Sequence, residues 1–195
     1  MELTPQMFLI VLPLVFLGGF IDSVAGGAGL ITLPAYLMAG IPAHFAAGTN
    51  KVVNSCGTLT ATLKYFRSGK ILLRPALVAA AGALIGSALG TELAAVISEK
   101  ALETLMLVAL PCVAIFLTVK KDFGKDIPAE ERPAYTPRQE MLRSALIGLV
   151  FGCYDGLLGP GTGTFMILGF TGFLSLDLIT AGGCSKASNL ASNIA

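Results

Sequence analysis

Long stretches without a formal charge constrain this chain more than any other feature. Residues 3–21, 23–50 and 156–176 carry no charged side chain if the single histidine is counted as neutral. A helix needs about 20 mostly apolar residues to cross a bilayer, and these stretches reach that length. Only 13% of the 195 residues are charged, which is well below the share that is usual in soluble domains. We therefore predict a multi-span membrane protein built from helices.

The composition argues against several other classes of protein. A very apolar soluble helical protein would show charged stripes at the helical period, and the apolar stretches show none. The apolar excess excludes intrinsic disorder, and a net charge of +1 leaves no basic footprint for nucleic acid. The cysteines lack C-x-x-C or metal-ligand spacing, so we expect small buried apolar residues and no metal or cofactor. They are Cys56, Cys112, Cys153 and Cys184.

Eight helical segments are predicted from the apolar runs and from the glycine and proline breaks between them. They cover residues 7–22, 29–38, 43–66, 75–97, 101–119, 141–155, 164–174 and 178–195. The polar stretch 120–140 contains three prolines and a cluster of charges, which predicts an extramembrane loop. Basic residues flank this loop and also separate the third segment from the fourth. By the positive-inside rule, both connections are expected on the cytoplasmic side.

Two parts of the sequence match each other at an offset of 133 to 135 residues. Each begins with an aspartate before a glycine-rich break, and each continues about thirty residues later with Lys-x-x-Asn. These residues are Asp22, Lys51 and Asn54 in the first copy and Asp155, Lys186 and Asn189 in the second. Two matches in the same order at nearly the same offset indicate an internal duplication.

The duplication leads to the predicted architecture. We expect an all-α, polytopic transmembrane fold with two internal repeats, each containing a glycine-rich broken or re-entrant helix. Residues 1–119 form the first repeat, residues 120–140 a cytoplasmic loop and residues 141–195 the start of the second repeat. Because nine residues follow Lys186, the second repeat is expected to be incomplete and the chain to be a piece of a longer protein. The short second segment cannot cross a bilayer alone, which favours inverted repeats, with parallel repeats as the alternative.

Glycine-interrupted apolar segments in both copies are typical of the substrate sites of secondary transporters. Backbone can leave a helix at membrane depth only where it is buried in protein or lines a cavity, and its N–H groups then favour an anion. The candidate glycines are expected in non-helical backbone, and close helix packing through small residues is the alternative. They are Gly26 and Gly29 in the first break and Gly161 and Gly163 in the second.

The two lysines are the most informative polar residues. A charged side chain inside a membrane helix is costly, so it normally faces the protein interior or a water-filled cavity. Lys51 and Lys186 each lie in an apolar segment and share it with amide side chains, which predicts a pair of anion-binding positions. The amides are Asn50 and Asn54 in the first copy and Asn189 and Asn193 in the second. Snorkelling of Lys51 to the membrane interface is the alternative.

The two aspartates are candidates for coupling or gating. Asp22 and Asp155 precede the glycine-rich breaks. They are placed to pair with the lysines, to accept protons or to cap the helices that follow. Capping alone is the simplest alternative, because aspartate is common immediately before a helix.

Three motifs carry a resemblance to a known family. The first glycine-rich break leads into Ile-Thr-Leu-Pro at residues 31–34, Gly-Thr-Asn-Lys occupies residues 48–51, and the second break covers residues 155–164. Together they resemble the TauE/SafE family of membrane transporters over nearly the whole chain. The resemblance implies a multi-pass inner-membrane permease that exports a small, sulfur-containing anion such as sulfite or a sulfonate. The implied partners are that anion and the lipid bilayer, and a homo-oligomer stays open.

Two other classes of function compete with the predicted secondary transporter. A channel-like anion pore with re-entrant half-helices would use the same residues. An intramembrane enzyme would need a catalytic pair within the membrane. Asp22 and Asp155 are the only candidates, and no aspartyl protease motif surrounds them. We therefore predict a transporter rather than an enzyme.

Overall fold

The structure is a computed structural model that describes residues 5–25, 27–119 and 133–195. Within those ranges the chain forms helices and no strands, as the sequence predicts. In chain order the helices are α1 (Pro5–Ala25), α2 (Gly29–Met38), α3 (Ala43–Arg67), α4 (Leu73–Val96), α5 (Glu99–Val119), α6 (Pro137–Leu157), α7 (Thr162–Leu174) and α8 (Leu178–Ile194). Each predicted segment corresponds to one of them, so the all-helical prediction is confirmed.

Helix α6 begins inside the stretch that was predicted to be a loop. Its first residue is Pro137 rather than residue 141. The Thr136 hydroxyl accepts a hydrogen bond from the Gln139 backbone N–H, and the Gln139 side chain accepts one from the Thr136 N–H. This capping box satisfies two backbone donors that lack intrahelical partners, and a proline is well tolerated in the first turn. The helix therefore starts at the cap and not at the first apolar residue.

Helices α1 and α2 form a hairpin. Gly18, late in α1, lies so close to Thr32, early in α2, that a Cβ at Gly18 would be 2.8 Å from the threonine methyl group. The earlier α1 residues Val11 and Val15 pack against the cluster that contains Leu33. Helix α2 therefore returns toward the end of the bundle at which α1 begins.

Helices α6 and α7 form a second hairpin of the same kind. The rings of Phe151 and Phe165 stack with centroids 6.0 Å apart. Nearer the start of α6, the Arg143 guanidinium donates to the carbonyl oxygen of Phe173 at 2.7 Å. Helix α7 thus returns along α6, and α8 begins at the end of the bundle where α6 begins.

Helices α4 and α6 pack in parallel through very small residues. The contacts advance in step along both helices, from Ala79 with Gly148 to Ala83 with Gly152 and Ser87 with Gly156. A Cβ at Gly152 would lie 2.5 Å from the Ala83 carbonyl oxygen. Such close approach of two backbones is the usual reason for small residues at four-residue steps in membrane helices. Both helices start at one end of the bundle, in agreement with the placement of the basic residues near their starts.

Helices α3 and α8 run in opposite directions. The side chain of Lys51, early in α3, reaches the carbonyl oxygen of Ser192, late in α8. At the other end of α3, Tyr65 lies beside Gly182, early in α8. These helices hold the matching Lys-x-x-Asn motifs, which therefore lie on two antiparallel helices. Helix α4 packs against both α6 and α8.

The outside of the bundle is apolar. Leu9, Phe16 and Val96 are each more than 70% exposed. Among the described residues, α4 is the helix that is long and apolar enough to cross a membrane by length and composition alone. The prediction that all four cysteines are buried is wrong for Cys56 and Cys112, which are exposed. A surface that is itself apolar accommodates a thiol as readily as the core does.

Candidate functional site

Lys51 joins three helices. Its ammonium group donates to the Asp155 carboxylate of α6 at 3.0 Å, to the Ser87 hydroxyl of α4 at 3.0 Å and to the Ser192 carbonyl oxygen of α8 at 2.9 Å. The side chain is 18% exposed. These three acceptors use the full donor capacity of a lysine. Lys51 therefore does not snorkel to an interface but points into the bundle.

Lys186 of α8 makes an equivalent ion pair with Asp22 of α1. Its ammonium group donates to a carboxylate oxygen of Asp22 at 2.7 Å and to the Asp22 backbone carbonyl oxygen at 2.6 Å. The Lys186 side chain is 3% exposed. The second carboxylate oxygen of Asp22 accepts from the backbone N–H groups of Gly27 and Ala28 at 2.8 and 3.3 Å. Asp22 therefore both pairs with the lysine and holds the start of α2.

The two ion pairs are exchanged between the two matching stretches of the sequence. The lysine of the first copy meets the aspartate of the second, and the lysine of the second meets the aspartate of the first. Lys51 is the ninth residue of α3 and Lys186 the ninth residue of α8, so the pairs also match in their position along the helices. Pairing removes much of the cost of a lone charge in an apolar interior. Each lysine is thereby held inside the bundle together with a carboxylate that balances its charge.

The two glycine-rich breaks touch each other. A Cβ at Gly27 would lie 3.9 Å from the Gly161 Cα, and one at Gly29 would lie 3.3 Å from the Pro160 Cα and 3.5 Å from the Asn50 amide nitrogen. Gly27 and Gly161 have φ angles of +122° and +77°, which favour glycine. The breaks, Asn50 and the starts of α2 and α7 therefore form one compact region.

Two of the four candidate glycines are not in non-helical backbone, contrary to the prediction. Gly29 is the first residue of α2, and Gly163 lies in the first turn of α7. Gly161 lies in the break, and Gly26 is outside the described residues. The breaks are shorter than the glycine clusters because the N–H groups of a first helical turn need no intrahelical partner, so the helix can start within the cluster. A single helix from residue 7 to residue 38 is excluded by the break after α1.

The candidate asparagines occupy two environments. Asn50 is buried and accepts a hydrogen bond from the Thr32 hydroxyl of α2. Asn189 and Asn193 are also buried, and the Asn189 side-chain oxygen accepts from the Asn193 amide at 3.3 Å. Asn54 lines a cavity between α1 and α3 together with Asp22. The structure brings these residues near the ion pairs but does not gather all four into one cluster.

Several polar residues of the site were missed by sequence analysis. Ser87 and Ser192 complete the surroundings of Lys51, and the Ser87 hydroxyl also donates to the Ser192 carbonyl oxygen at 2.6 Å. The Ser185 hydroxyl bonds the Gly163 carbonyl oxygen at 2.9 Å, and the Tyr154 hydroxyl bonds that of Pro160 at 2.6 Å. Ser185 lies one residue before Lys186 and Ser192 six residues after it, on the same helix. Their closeness to the lysine in an apolar segment could have marked them as candidates. For Ser87 the sequence offers only a hydroxyl in an apolar helix.

Comparisons with known proteins assign the family. The family described as sulfite exporter TauE/SafE matches residues 11–195. The protein named "Probable membrane transporter protein ORF9" from Sinorhizobium sp is 38% identical over 179 residues, which cover 92% of this chain and 66% of that protein. A Haemophilus influenzae protein named "Probable membrane transporter protein" is 34% identical over 92% of this chain and 68% of its own length. Escherichia coli K12 YfcA, with the same descriptive name, is 31% identical over 98% and 69%.

This chain spans about two thirds of the length of these relatives. No solved structure matches it. The names of the family and of the relatives indicate a membrane transporter rather than an enzyme, and the apolar exterior agrees with a membrane location. The motifs that suggested the resemblance lie within the matched region. The chain therefore belongs to the sulfite exporter TauE/SafE family of membrane transporter proteins.

Proposed function

We propose that this chain acts in secondary transport and exports a small, sulfur-containing oxyanion, such as sulfite or a sulfonate, across the inner membrane. The observation that carries the proposal is the exchanged pairing of Lys51 with Asp155 and of Lys186 with Asp22. Two lysines held inside an apolar bundle are costly unless they serve a charged ligand or a charged partner. The family description supports a sulfur oxyanion as that ligand.

The central step of the proposed mechanism is replacement of an aspartate carboxylate by the substrate oxyanion at a lysine. An oxyanion offers the lysine the same kind of oxygen acceptor as a carboxylate does. It therefore competes with Asp155 for Lys51, and with Asp22 for Lys186. A carboxylate that loses its lysine is left without its counter-ion in an apolar interior, which is energetically costly. Asp22 and Asp155 thus couple substrate binding either to proton uptake or to movement of the helices that hold them.

The remaining candidate residues would complete the shell around the anion. Asn50 and Asn54 in the first copy, and Asn189 and Asn193 in the second, supply amide donors that replace water. The glycine-rich breaks supply backbone N–H groups at the starts of α2 and α7, where the helix dipole also favours negative charge. We assign the glycines to this role as a set, which consists of Gly26, Gly29, Gly161 and Gly163.

We further propose that the two copies form inverted repeats with re-entrant hairpins. The opposite directions of α3 and α8 support the inversion, since these helices hold the matching motifs. The return of α2 along α1 and of α7 along α6 supports hairpins that enter and leave on one side. Inverted repeats with interrupted helices place a substrate site at their interface. Each exchanged ion pair would then break or re-form as one repeat rocks against the other.

A flux measurement tests the proposal. The protein is reconstituted into liposomes and export of sulfite, sulfate, taurine and chloride is measured for the wild type, for Lys51→Met and for Lys100→Met. Lys100 is an exposed lysine at the start of α5, so its variant controls for the loss of one positive charge. We expect saturable sulfite or sulfonate flux that Lys51→Met abolishes and Lys100→Met leaves unchanged.

Two outcomes would contradict the proposal. A wild-type rate of flux in Lys51→Met would show that Lys51 is not part of the substrate site. Flux that rises linearly with concentration and shows no counterflow would favour the channel-like pore over a carrier.

A further inference from the structure

An open groove runs between α1 and α3. Its cavity has a volume of about 560 Å³. It is lined by Val15, Gly19 and Asp22 of α1, by Thr32 of α2 and by α3 residues from Val53 to Tyr65. The α3 residues recur at steps of three and four and extend over about 18 Å of helix, at 1.5 Å per residue. The cavity is therefore an elongated trench along two helices.

The corresponding groove in the second sequence copy is filled. At the offset of the duplication, α6 and α8 correspond to α1 and α3, and α4 packs against both of them. Five lining residues have counterparts at this offset: Val15 with Gly148, Gly19 with Gly152, Asp22 with Asp155, Asn54 with Asn189 and Gly57 with Ser192. The glycine, aspartate and asparagine pairs among them are identical. The surface that binds α4 in one copy is thus the surface left open in the other.

Two glycines in the open groove have no close neighbour. A Cβ at Gly152 would lie 2.5 Å from the Ala83 carbonyl oxygen of α4, so this glycine is required by packing. A Cβ at Gly19 or at Gly57 would meet nothing within 4 Å among the described residues. A glycine in a helix interior costs about 0.5–1 kcal/mol relative to alanine. Glycines on both walls of the groove leave room for another backbone to approach.

We propose that the α1–α3 groove is the docking site of a membrane helix with the chemistry of α4. Such a helix is apolar and has small residues at four-residue steps. It also carries a hydroxyl that would reach the Lys186–Asp22 pair, as Ser87 of α4 reaches Lys51. The curated relatives contain about a third of their length outside the region matched by this chain, and we assign the helix to that part. The inference rests on the two-repeat arrangement proposed above.

The hydroxyl is the functional element of this docking. Ser87 bonds both the Lys51 ammonium and the Ser192 carbonyl oxygen, so it links α4 to one ion pair. The described contacts of the Lys186 ammonium are both to Asp22. A docked helix would therefore bring to Lys186 the hydroxyl that Lys51 already has, and the two sites would become equivalent.

Extension of the chain with a copy of its own sequence tests this docking. Ala195 corresponds to Thr60 at the offset of the second Lys-x-x-Asn motif, so a copy of residues 61–98 is appended after Ala195. In a background without native cysteines, Gly19→Cys is combined with a cysteine at the copied position of Ala83. We expect an oxidative cross-link between these cysteines, because Ala83 itself lies against Gly152. A cysteine at the copied position of Leu84, whose own side chain is exposed, is the matched control and should cross-link at least tenfold less.

A second pair of variants separates docking from general stability. Gly19→Leu should leave the thermal midpoint of the 195-residue chain equal or raise it, and should lower that of the extended chain. Gly152→Leu should lower both. Equal effects of Gly19→Leu on the two chains, or absence of the cross-link, would overturn the inference. A concentration-dependent dimer of the 195-residue chain that Gly19→Leu dissociates would overturn it in favour of a second copy as the occupant.

A peptide experiment covers the case in which the extended chain does not fold. A peptide with the sequence of residues 73–96 is added in detergent to Gly19→Cys in the 195-residue chain. It should slow labelling of this cysteine by a maleimide at least tenfold, and an unchanged rate would overturn the inference. Sulfite alone should not slow labelling, and if it does so more than the peptide the groove binds anion rather than helix. None of these readouts measures flux, so they are independent of the test of transport.

Discussion

Lys51 of α3 and Asp155 of α6 are 104 residues apart in the sequence, and their charged groups lie 3.0 Å apart in the bundle. Their counterparts, Lys186 and Asp22, form the reciprocal pair at 2.7 Å. Each of the two matching stretches of sequence therefore supplies the counter-ion of the other. The charge balance of either site thus depends on the contact between helices that are distant in the sequence.

The Lys186–Asp22 pair should contribute to stability in a non-additive way. Lys186→Met leaves a buried carboxylate without its counter-ion, and loss of one partner of a buried pair costs about 3–5 kcal/mol. We expect a clear drop in the thermal midpoint of the purified protein in detergent. Addition of Asp22→Asn should recover part of the loss, because the uncompensated charge is then removed. If the double variant is as unstable as the sum of the single variants, the pair is not coupled.

Substitution of Lys51 should separate charge from geometry. Lys51→Met should abolish sulfite binding measured by isothermal calorimetry on the folded protein. It should also lower the thermal midpoint, because Asp155 then loses its counter-ion. Lys51→Arg should retain binding that is weaker by about tenfold, since the guanidinium is larger and presents its donors in a planar fork. Binding of Lys51→Arg that is equal to or tighter than wild type would show that the site does not depend on the compact ammonium group.

The contact between α4 and α6 should tolerate no added side chain. Gly152→Val would place atoms where the Ala83 carbonyl oxygen lies, and neither backbone can yield without separating the helices. Overpacking of this kind typically costs about 1–3 kcal/mol. Gly48→Ala is the control. A Cβ added at Gly48 would meet nothing within 4 Å, and alanine is more favourable than glycine inside a helix. We expect the first variant to lower the thermal midpoint and the second to leave it equal or raise it.

Accessibility of single cysteines should reveal the proposed inversion. In cells that express a variant without native cysteines, Thr4→Cys should react with a membrane-impermeant thiol reagent from outside. Ser68→Cys lies in the connection between α3 and α4 and should react only after lysis. Labelling of Thr4→Cys only after lysis would place the N-terminus inside, and it would support parallel repeats instead.

Local sequence patterns were sufficient for the elements of this fold. Apolar length, together with glycine and proline breaks, located all eight helices within a few residues, because both signals act over one or two turns. The start of α6 was missed since the cap at Thr136 precedes the apolar run by several residues. The correspondence of Lys51 with Lys186 was also visible in the sequence, because each begins a Lys-x-x-Asn motif about thirty residues after an aspartate.

Only the tertiary structure decided which charged residues meet. The sequence allowed Asp22 and Asp155 to cap helices or to pair with lysines. It could not distinguish pairing within a copy from exchange between copies, because that choice depends on the antiparallel contact of α3 with α8. It also could not place Ser87 beside Lys51, since this contact follows from the parallel packing of α4 on α6. Helix formation is governed by neighbours along the chain, whereas these contacts join segments 36 to 164 residues apart and arise only when whole helices pack.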